Sequence, residues 1–380
     1  MDEGDWSVKD GRRFFCGCAR MSVPLDQDGG DQIDAGSYGC IFKPTLRCKP
    51  KTKQDLVLAS EKDKRIARVS KITTIESAES EFKVSAVLHN IPLWRNYFVL
   101  TESICEPAEK QTDKDISACR IIKRKPMSDF RLITMPYMGT TMAAYRFPMD
   151  VFEPMRFIKH LVEAGALLAL FGVTHRDLHQ GNIVIDDQMV PRIIDYNLAF
   201  PVEARVYPEL VKNFLAHTYE PSISQEPPDS VLVNAISMGH TASTTIRDII
   251  RRKPILRRMT SLLGVTEYEM EQSLREFYQK SKSAHSGDTV QWFRVYYRVI
   301  DSWAIGVLLV DLIIKISMWP SFTAVFQQHK EIILPLLKKM CAINPMERFD
   351  CVQALAVLDP NHFILRKYGR AWLEKYPAAL

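Results

Sequence analysis

The stretch 173–197 constrains the fold of this chain more than any other part of the sequence. Two short runs rich in isoleucine, at 183–185 and 193–194, lie on either side of an Asp-Asp pair and predict a small β-hairpin. Polar residues stand directly outside both runs. The hairpin would therefore present three polar side chains together at its loop edges: Asp177, Asn182 and Asp195.

Two carboxylates and one amide brought together in this way suit magnesium-assisted phosphoryl transfer. One carboxylate, Asp177, can orient an attacking hydroxyl and accept its proton. The amide of Asn182 and the carboxylate of Asp195 can hold metal ions that neutralise phosphate charge. The residue types alone thus predict a catalytic base and two Mg²⁺ ligands.

Residues 175–182 read His-Arg-Asp-Leu-His-Gln-Gly-Asn and match H-R-D-L-x-x-x-N without a gap. This segment resembles the catalytic loop of protein kinases. The resemblance implies an α+β, bilobal protein-kinase-like fold, with a small antiparallel N-lobe sheet carrying one main helix and a larger helical C-lobe. It also implies an enzyme that uses ATP and Mg²⁺ to phosphorylate Ser/Thr hydroxyls of protein substrates.

Residues 33–43 predict a strand, a glycine turn and a second strand. Glycines in such a turn let backbone N–H groups approach phosphates. The segment resembles the glycine-rich loop of protein kinases, although Asp34 replaces the first glycine of that pattern. By this resemblance, five residues would contact the nucleotide: Gly36, Ser37, Tyr38, Gly39 and Ile41.

Lys71 lies in an alternating segment, 65–72, that predicts a strand. A strand lysine is either a surface residue or a cation aimed into a cleft, where it would neutralise α/β-phosphate oxygens. The family resemblance favours the second interpretation. It also makes Glu81, on a helix predicted at 76–89, the candidate partner of Lys71, with Glu79 as the fallback.

The segment 131–139 resembles the strand and linker where adenine binds in protein kinases. By that resemblance, Met135 lines the back of the pocket and Met138 offers backbone groups to the base. Further strands are predicted at 97–103 and 120–123.

The domain boundaries follow from these motifs. We predict a flexible N-terminal arm at 1–31, the N-lobe at 32–134, the hinge at 135–139 and the C-lobe at 140–380. The C-lobe would contain a helical insertion at about 231–295, with helices at 244–258 and 265–282. The insertion could be a substrate platform, a partner surface or a structural embellishment.

Three later motifs also resemble protein kinases. Pro227-Pro228-Asp229 resembles the A-P-E that closes the activation segment, and Asn344-Pro345-Met346-Glu347-Arg348 resembles N-P-x-x-R. The resemblance pairs Asp229 with Arg348. Asp301, in a D-x-W-x-x-G segment, would cap the catalytic-loop backbone.

Two residues depart from the pattern. His179 stands where Ser/Thr kinases carry a lysine, and D-x-H-x-G-N is similar to aminoglycoside- and choline-kinase-like phosphotransferases. An imidazole could still donate to phosphate. Asn197 replaces the glycine of D-F-G, and asparagine tolerates the positive φ that glycine usually supplies there.

Three functions remain open: a protein kinase, a small-molecule phosphotransferase and a pseudokinase scaffold. Arg176, together with the late motifs, favours the protein kinase. Arg176 could bind a phosphorylated activation-segment residue, and the acidic Glu220 could replace that phosphate. The candidates for phosphorylation are Thr218, Tyr219, Ser222 and Ser224.

Composition limits the cellular setting. With 380 residues and 46% hydrophobic content, the chain can bury a large core, and a net charge of +5 is modest. Basic clusters such as 251–258 are most simply solvated faces, so we expect no specific nucleic-acid binding. No apolar run reaches a membrane span, and the N-terminus lacks the layout of a secretory signal.

The eight cysteines form no C-x-x-C ladder, so we expect no zinc site and predict reduced thiols in an intracellular compartment. The start 36–44 and the long insertion before 69–71 resemble the divergent kinases of large nucleocytoplasmic DNA viruses, including poxvirus virion kinases. That likeness implies a viral protein in the host cytoplasm or the virion.

Overall fold

The structure is a computed structural model. It describes residues 31–36, 39–49, 56–57, 67–111, 116, 119–123, 125–202 and 219–378. The arm predicted at 1–31 lies outside these residues except for Asp31, and Ser37, Tyr38 and Thr218 also lie outside them.

A six-stranded sheet forms the N-terminal part of the fold. Its strands are β1 (Asp31–Gly36), β2 (Gly39–Lys43), β3 (Leu56–Val57), β4 (Arg68–Thr74), β5 (Ser103–Cys105) and β6 (Phe130–Pro136). Every pairing in the sheet is antiparallel, and the strand order is β1-β2-β4-β6-β5-β3. Because side chains alternate along a strand, Ile72 and Leu132 face one core while Val69 and Ile133 face the other. Lys71 therefore shares the face of Val69.

Helix α1 (Ile75–Leu88) follows β4 directly and confirms the helix predicted at 76–89. The Thr74 side chain accepts a hydrogen bond from the Ser77 N–H and so caps the helix N-terminus. Glu81 lies on the buried side of α1, which packs against β4, β5 and β6. The short helix α2 (Trp94–Tyr97) follows α1 in the chain.

Two of the predicted strands are wrong in whole or in part. Within 97–103, Tyr97 ends α2 and only Ser103 belongs to a strand, β5. The segment predicted as a strand at 120–123 is a single 3₁₀ turn, Arg120–Ile122. Cys119 fixes this turn by a disulfide, and Ile122 packs into the sheet core instead of pairing along an edge.

The prediction of reduced thiols is wrong for four cysteines. Cys40 is bonded to Cys119, and Cys48 is bonded to Cys105. The first disulfide joins β2 to the residue before the 3₁₀ turn at 120–122, and the second joins Cys48, which follows β2, to the last residue of β5. Among the described cysteines, Cys341 and Cys351 remain free, and both are buried.

The rest of the fold is helical around two small sheets and one large core. The small strands are β7 (Thr140–Thr141), β8 (Val173–Thr174), β9 (Ile183–Ile185), β10 (Pro191–Ile193) and β11 (Phe200–Pro201). One small sheet has the order β10-β9-β7, and the other pairs β11 with β8. The helices are α3 (Pro154–Leu170), α4 (Pro228–Ser237), α5 (Ala242–Arg252), α6 (Pro254–Leu263), α7 (Glu267–Lys280), α8 (Lys282–Ser286), α9 (Thr289–Tyr296), α10 (Ile300–Ile316), α11 (Pro320–Met340), α12 (Cys351–Leu358) and α13 (Arg370–Lys375).

The predicted hairpin is present as β9 and β10, with Pro191 paired to Ile185. Its second strand ends at Ile193, one residue earlier than predicted, and the Ile194 N–H donates to the Asn182 carbonyl next to the last pair, Ile193–Ile183. The segment 231–295 is helical as predicted, although Pro254 divides the helix predicted at 244–258 into α5 and α6.

The predicted mixed α+β class is confirmed, with an antiparallel sheet as its main β component. No helix in the described part of the chain is long and apolar enough to cross a membrane.

Candidate active site

Lys71 lies at the centre of a buried charge cluster. Its Nζ donates to Glu81 Oε2 at 3.0 Å and to Asp195 Oδ1 at 2.8 Å. The predicted pairing of Lys71 with Glu81, rather than Glu79, is therefore confirmed. Since only 4% of Lys71 is exposed, the surface-lysine interpretation does not apply. One strand, one helix and the end of the hairpin meet at this cation.

Burial and charge oppose each other in this cluster. Burial lowers the pKa of Lys71, but the carboxylates of Glu81 and Asp195 outweigh it and raise that pKa above its usual value. Burial also raises the pKa of Glu81, to about 7, against the opposing effect of Lys71. For Asp195, burial favours the neutral acid, yet Lys71 holds the carboxyl pKa below its usual value. The cluster therefore keeps Asp195 ionised near neutral pH, while Glu81 titrates there.

Asp177 and Asn182 are held against each other. The Asn182 Nδ2 donates to the Asp177 carbonyl at 2.9 Å and to Asp177 Oδ2 at 3.2 Å. Asn182 closes a 3₁₀ turn, Gln180–Asn182, that runs directly into β9. The turn thus brings together the predicted base and one predicted metal ligand.

His179 caps that turn. Its Nδ1 accepts from the Gly181 N–H at 3.0 Å, so the proton of a neutral ring is on Nε2. The Nε2 atom lies 3.7 Å from Asp177 Oδ2. A Cβ at position 181 would come within 2.7 Å of His179 Cε1, so glycine is needed for this ring position. His179 is therefore a neighbour of Asp177 and points its N–H toward that carboxylate.

Asp301, at the start of α10, holds the loop from below. Its Oδ2 accepts from the His175 N–H at 2.7 Å, and its Oδ1 accepts from the Arg176 N–H at 2.9 Å. The predicted cap by Asp301 is therefore present. The His175 Nε2 also lies 3.0 Å from the Ile194 carbonyl, which joins the loop to the residue before Asp195.

The positive φ expected at Asn197 is at Asp195 instead, with φ of 65°. The turn after the hairpin is therefore made two residues earlier, at the residue whose carboxylate contacts Lys71. Within the described part of the chain, both polar atoms of the buried Asn197 amide have no hydrogen-bond partner.

A cleft of about 320 Å³ lies between the large sheet and the hairpin. Three predicted nucleotide-contacting residues line it: Ile41, Met135 and Met138. A Cβ at Gly139, where φ is +116°, would come within 2.0 Å of the Ile185 carbonyl oxygen, so only glycine allows this linker to cross the hairpin. The sequence did not identify four further apolar residues of the lining: Val69, Val99, Val184 and Ile194.

The glycine hairpin is only partly described. Gly36 pairs with Gly39, and the predicted nucleotide-contacting residues Ser37 and Tyr38 lie outside the described residues. A Cβ at Gly39 would come within 2.5 Å of the Ile72 carbonyl oxygen. Gly39 is therefore needed for the close approach of β2 to β4.

A second cavity, of about 310 Å³, opens beside Asp177. Its walls come from Arg176 and Asp177, from the segment 223–227 and from Trp292. Asp229 anchors the end of this wall, since its carboxylate accepts from Arg348 Nη2 at 2.6 Å and from Trp292 Nε1 at 3.0 Å. The predicted Asp229–Arg348 ion pair is therefore present.

Glu220 does not follow the sequence interpretation. Its ion pair, at 3.2 Å, is with Arg252 of α5. The acid that lines the cavity together with Arg176 is Glu226. Burial raises the pKa of Glu226, and Lys253 and Arg176 oppose that rise. No motif marks Glu226, Lys253 or Trp292, so sequence reasoning missed all three.

The donor set suits a hard cation completed by other oxygen ligands. Among the described residues, no group of three or more His, Cys, Asp or Glu side chains could hold a metal ion alone. One carboxylate and one amide, from Asp195 and Asn182, are the ligands expected where phosphate oxygens and water supply the rest. These residues therefore fit Mg²⁺ bound with a nucleotide.

No protein-family model matches this sequence, and no curated protein is significantly similar to it.

Proposed function

We propose that this chain is an ATP-dependent protein kinase that phosphorylates Ser/Thr hydroxyls, with a bilobal protein-kinase-like fold. The observation that carries the proposal is the contact of Lys71 with both Glu81 and Asp195, next to the pair Asp177 and Asn182. In this proposal the large sheet with α1 is the N-lobe, 135–139 is the hinge and 140–380 is the C-lobe.

In the proposed reaction, different side chains bind the adenine, the phosphates and the metal ion. The apolar cleft under Met135 and Met138 would take the adenine, which places the phosphates toward Lys71. Glu81 fixes the Lys71 ammonium so that it can neutralise phosphate oxygens. Mg²⁺, held by Asn182 and Asp195, would supply charge neutralisation on the transferred group.

Asp177 is the proposed base. Its carboxylate is fixed by the Asn182 amide and opens on the second cavity, where an acceptor hydroxyl can approach. From there Asp177 can orient the hydroxyl and take its proton. Most of the rate enhancement would come from positioning and charge neutralisation, because a loose transition state needs little covalent assistance.

A protein acceptor is favoured by the wall beside Asp177. The wall 223–227 is anchored by the buried Asp229–Arg348 pair, and the motifs that contain these two residues resemble those of protein kinases. A small-molecule phosphotransferase is the second candidate, since His179 and Gly181 form a unit next to Asp177. A pseudokinase scaffold would have no need for the Lys71 cluster.

The test is transfer of labelled phosphate from ATP with Mg²⁺ to a basic protein, to casein and to small alcohols in parallel. We expect the protein acceptors to be labelled and Asp177→Ala to be inactive. Asp187→Ala is the matched control, because Asp187 is an exposed residue in the turn of the same hairpin. Labelling of the alcohols alone would support the second candidate.

A thermal-shift measurement addresses the scaffold. ATP with Mg²⁺ should stabilise the chain more than ATP alone, as expected for ligands that bind only the folded state. Absence of both the shift and any transfer would contradict the proposed function.

A further inference from the structure

Lys253 is a buried lysine outside the charge cluster of Lys71. It lies between α5 and α6, and only 1% of it is exposed, although Arg251 and Arg252 beside it are exposed. Pro254 explains this reversal, because the residue before a proline avoids the helical conformation. Lys253 is accordingly extended, with φ of −81° and ψ of 107°, and its side chain leaves the outer face of α5.

The ammonium of Lys253 bridges the wall of the cavity beside Asp177. Its Nζ donates to the Ile223 carbonyl at 2.5 Å and to the Glu226 carbonyl at 3.0 Å. Ile223 and Glu226 both line that cavity. One side chain from the helical segment 231–295 therefore joins two points of the wall that lie three residues apart.

The charges around Lys253 suit this position. Burial lowers its pKa to about 8, while Glu226, Asp229 and Glu220 favour the charged form. Asp229 is paired with Arg348, and Glu220 is paired with Arg252. Glu226 is the remaining acid of this group. Its charge is also favoured by Arg176, the arginine of the catalytic loop.

Other contacts fix the same wall. The Trp303 Nε1 donates to the Ser224 carbonyl at 3.0 Å. Just before the wall, the centroid of the Tyr219 ring lies 5.0 Å from that of the His240 ring. The wall is thus held by Trp303 of α10 and by Lys253, which lies between α5 and α6.

We propose that Lys253 is a positioning residue for the acceptor: it holds the wall 223–227 beside Asp177 in place of a phosphorylated activation-segment residue. This inference rests on the proposed function. It gives the helical segment 231–295 a role in acceptor binding, and it predicts an enzyme whose acceptor site is ordered without prior phosphorylation.

The experiment compares Lys253→Met with Lys280→Met. Methionine has a similar volume to lysine but cannot donate to the two carbonyls, while Lys280 forms an exposed pair with Glu276 at the end of helix α7. Steady-state transfer to casein and to a basic protein gives KM for the acceptor and for ATP. ATP hydrolysis by water measures nucleotide chemistry without the acceptor.

For Lys253→Met we expect the acceptor KM to rise about tenfold or more, because two partly buried carbonyls lose their donor. The KM for ATP and the rate of ATP hydrolysis should match Lys280→Met. Hydrogen exchange should increase at 219–227 and not in α10. Lys253→Gln, which keeps donor groups, should recover part of the acceptor affinity and serves if the methionine variant does not fold.

An acceptor KM for Lys253→Met equal to that of Lys280→Met would overturn the inference and leave the proposed function standing. Wild-type protein that labels neither protein acceptor would instead overturn the proposed function and the inference with it. Wild-type protein that transfers phosphate only after treatment with a separate kinase would also overturn the inference.

Discussion

Glu81 has an ambiguous charge state at neutral pH because it is buried against a cation. Burial favours the neutral acid, Lys71 favours the carboxylate, and the resulting pKa is about 7. Only the carboxylate can hold the Lys71 ammonium through a charged hydrogen bond. In the proposed function, the nucleotide site should therefore assemble fully only above that pH.

We predict that kcat/KM for ATP rises with pH through about 7 in the wild type and loses this dependence in Glu81→Gln. Stability should change in the opposite direction. A carboxyl pKa raised from 4.5 to about 7 means that the folded state binds the proton more tightly, so the unfolding free energy falls between those pH values. Paired pH profiles of activity and urea unfolding measure both trends. An unchanged activity profile in Glu81→Gln would refute this assignment.

Gly181 and His179 provide a second test. A Cβ at position 181 would lie 2.7 Å from the His179 ring, so Gly181→Ala should displace the ring from Asp177 and lower kcat. His179→Ala combined with Gly181→Ala removes the clash. If the clash is the cause, the double variant should match His179→Ala alone. A double variant that is still slower would show that Gly181 acts through the backbone instead.

The sequence predicted the contacts of individual residues better than it predicted the strands or the disulfides. The contacts of Lys71 with Glu81, of Asp229 with Arg348 and of Asp301 with the loop backbone occur as predicted, because the family resemblance supplied their partners. Lys253 could not be predicted, since its burial depends on how α5 and α6 pack. Its neighbours in sequence, Arg251 and Arg252, make it look like part of a solvated basic face.

At the scale of elements, the disulfides are the largest departure from expectation. Cys40 and Cys119 are separated by 79 residues, and Cys48 and Cys105 by 57. Pairing of two cysteines requires their Cα atoms to lie within a few ångströms, and spacing along the chain does not reveal that. The helices and the hairpin were predictable because their periodicity is local, whereas the 120–122 turn depends on the Cys119 disulfide.

The disulfide between Cys48 and Cys105 should stabilise the large sheet. Replacing both cysteines by serine should lower the unfolding free energy by about 2–4 kcal/mol, because the unfolded chain regains the freedom of a long loop. Urea unfolding without reductant measures the loss. The variant should also respond less to reductant than the wild type. Equal unfolding of variant and wild type would show that this bond does not stabilise the fold.

At the scale of the whole molecule, one ion pair joins the end of the wall 223–227 to the segment before α12. Asp229 and Arg348 are 119 residues apart, and both side chains are fully buried. Removing one partner leaves a buried charge without compensation, which is far more costly than losing an exposed pair. The pair therefore couples the order of the wall to global stability.

We predict that Arg348→Met lowers the unfolding free energy by about 3–5 kcal/mol. Arg251→Met is the control, since its pair with Asp248 is exposed and should contribute at most about 1 kcal/mol. Urea unfolding of both variants gives the comparison. Equal effects would mean that the buried pair does not anchor the wall.

The most direct test of the central claim separates chemistry from nucleotide binding at Asp177. Asp177→Asn keeps the shape of the side chain but removes the carboxylate that would orient the acceptor hydroxyl. Measured together, ATP affinity should stay within about threefold of wild type while kcat for phosphate transfer falls by roughly 10²-fold or more, the scale of a lost general base. A variant that binds ATP and transfers phosphate at the wild-type rate would contradict the assignment of this site.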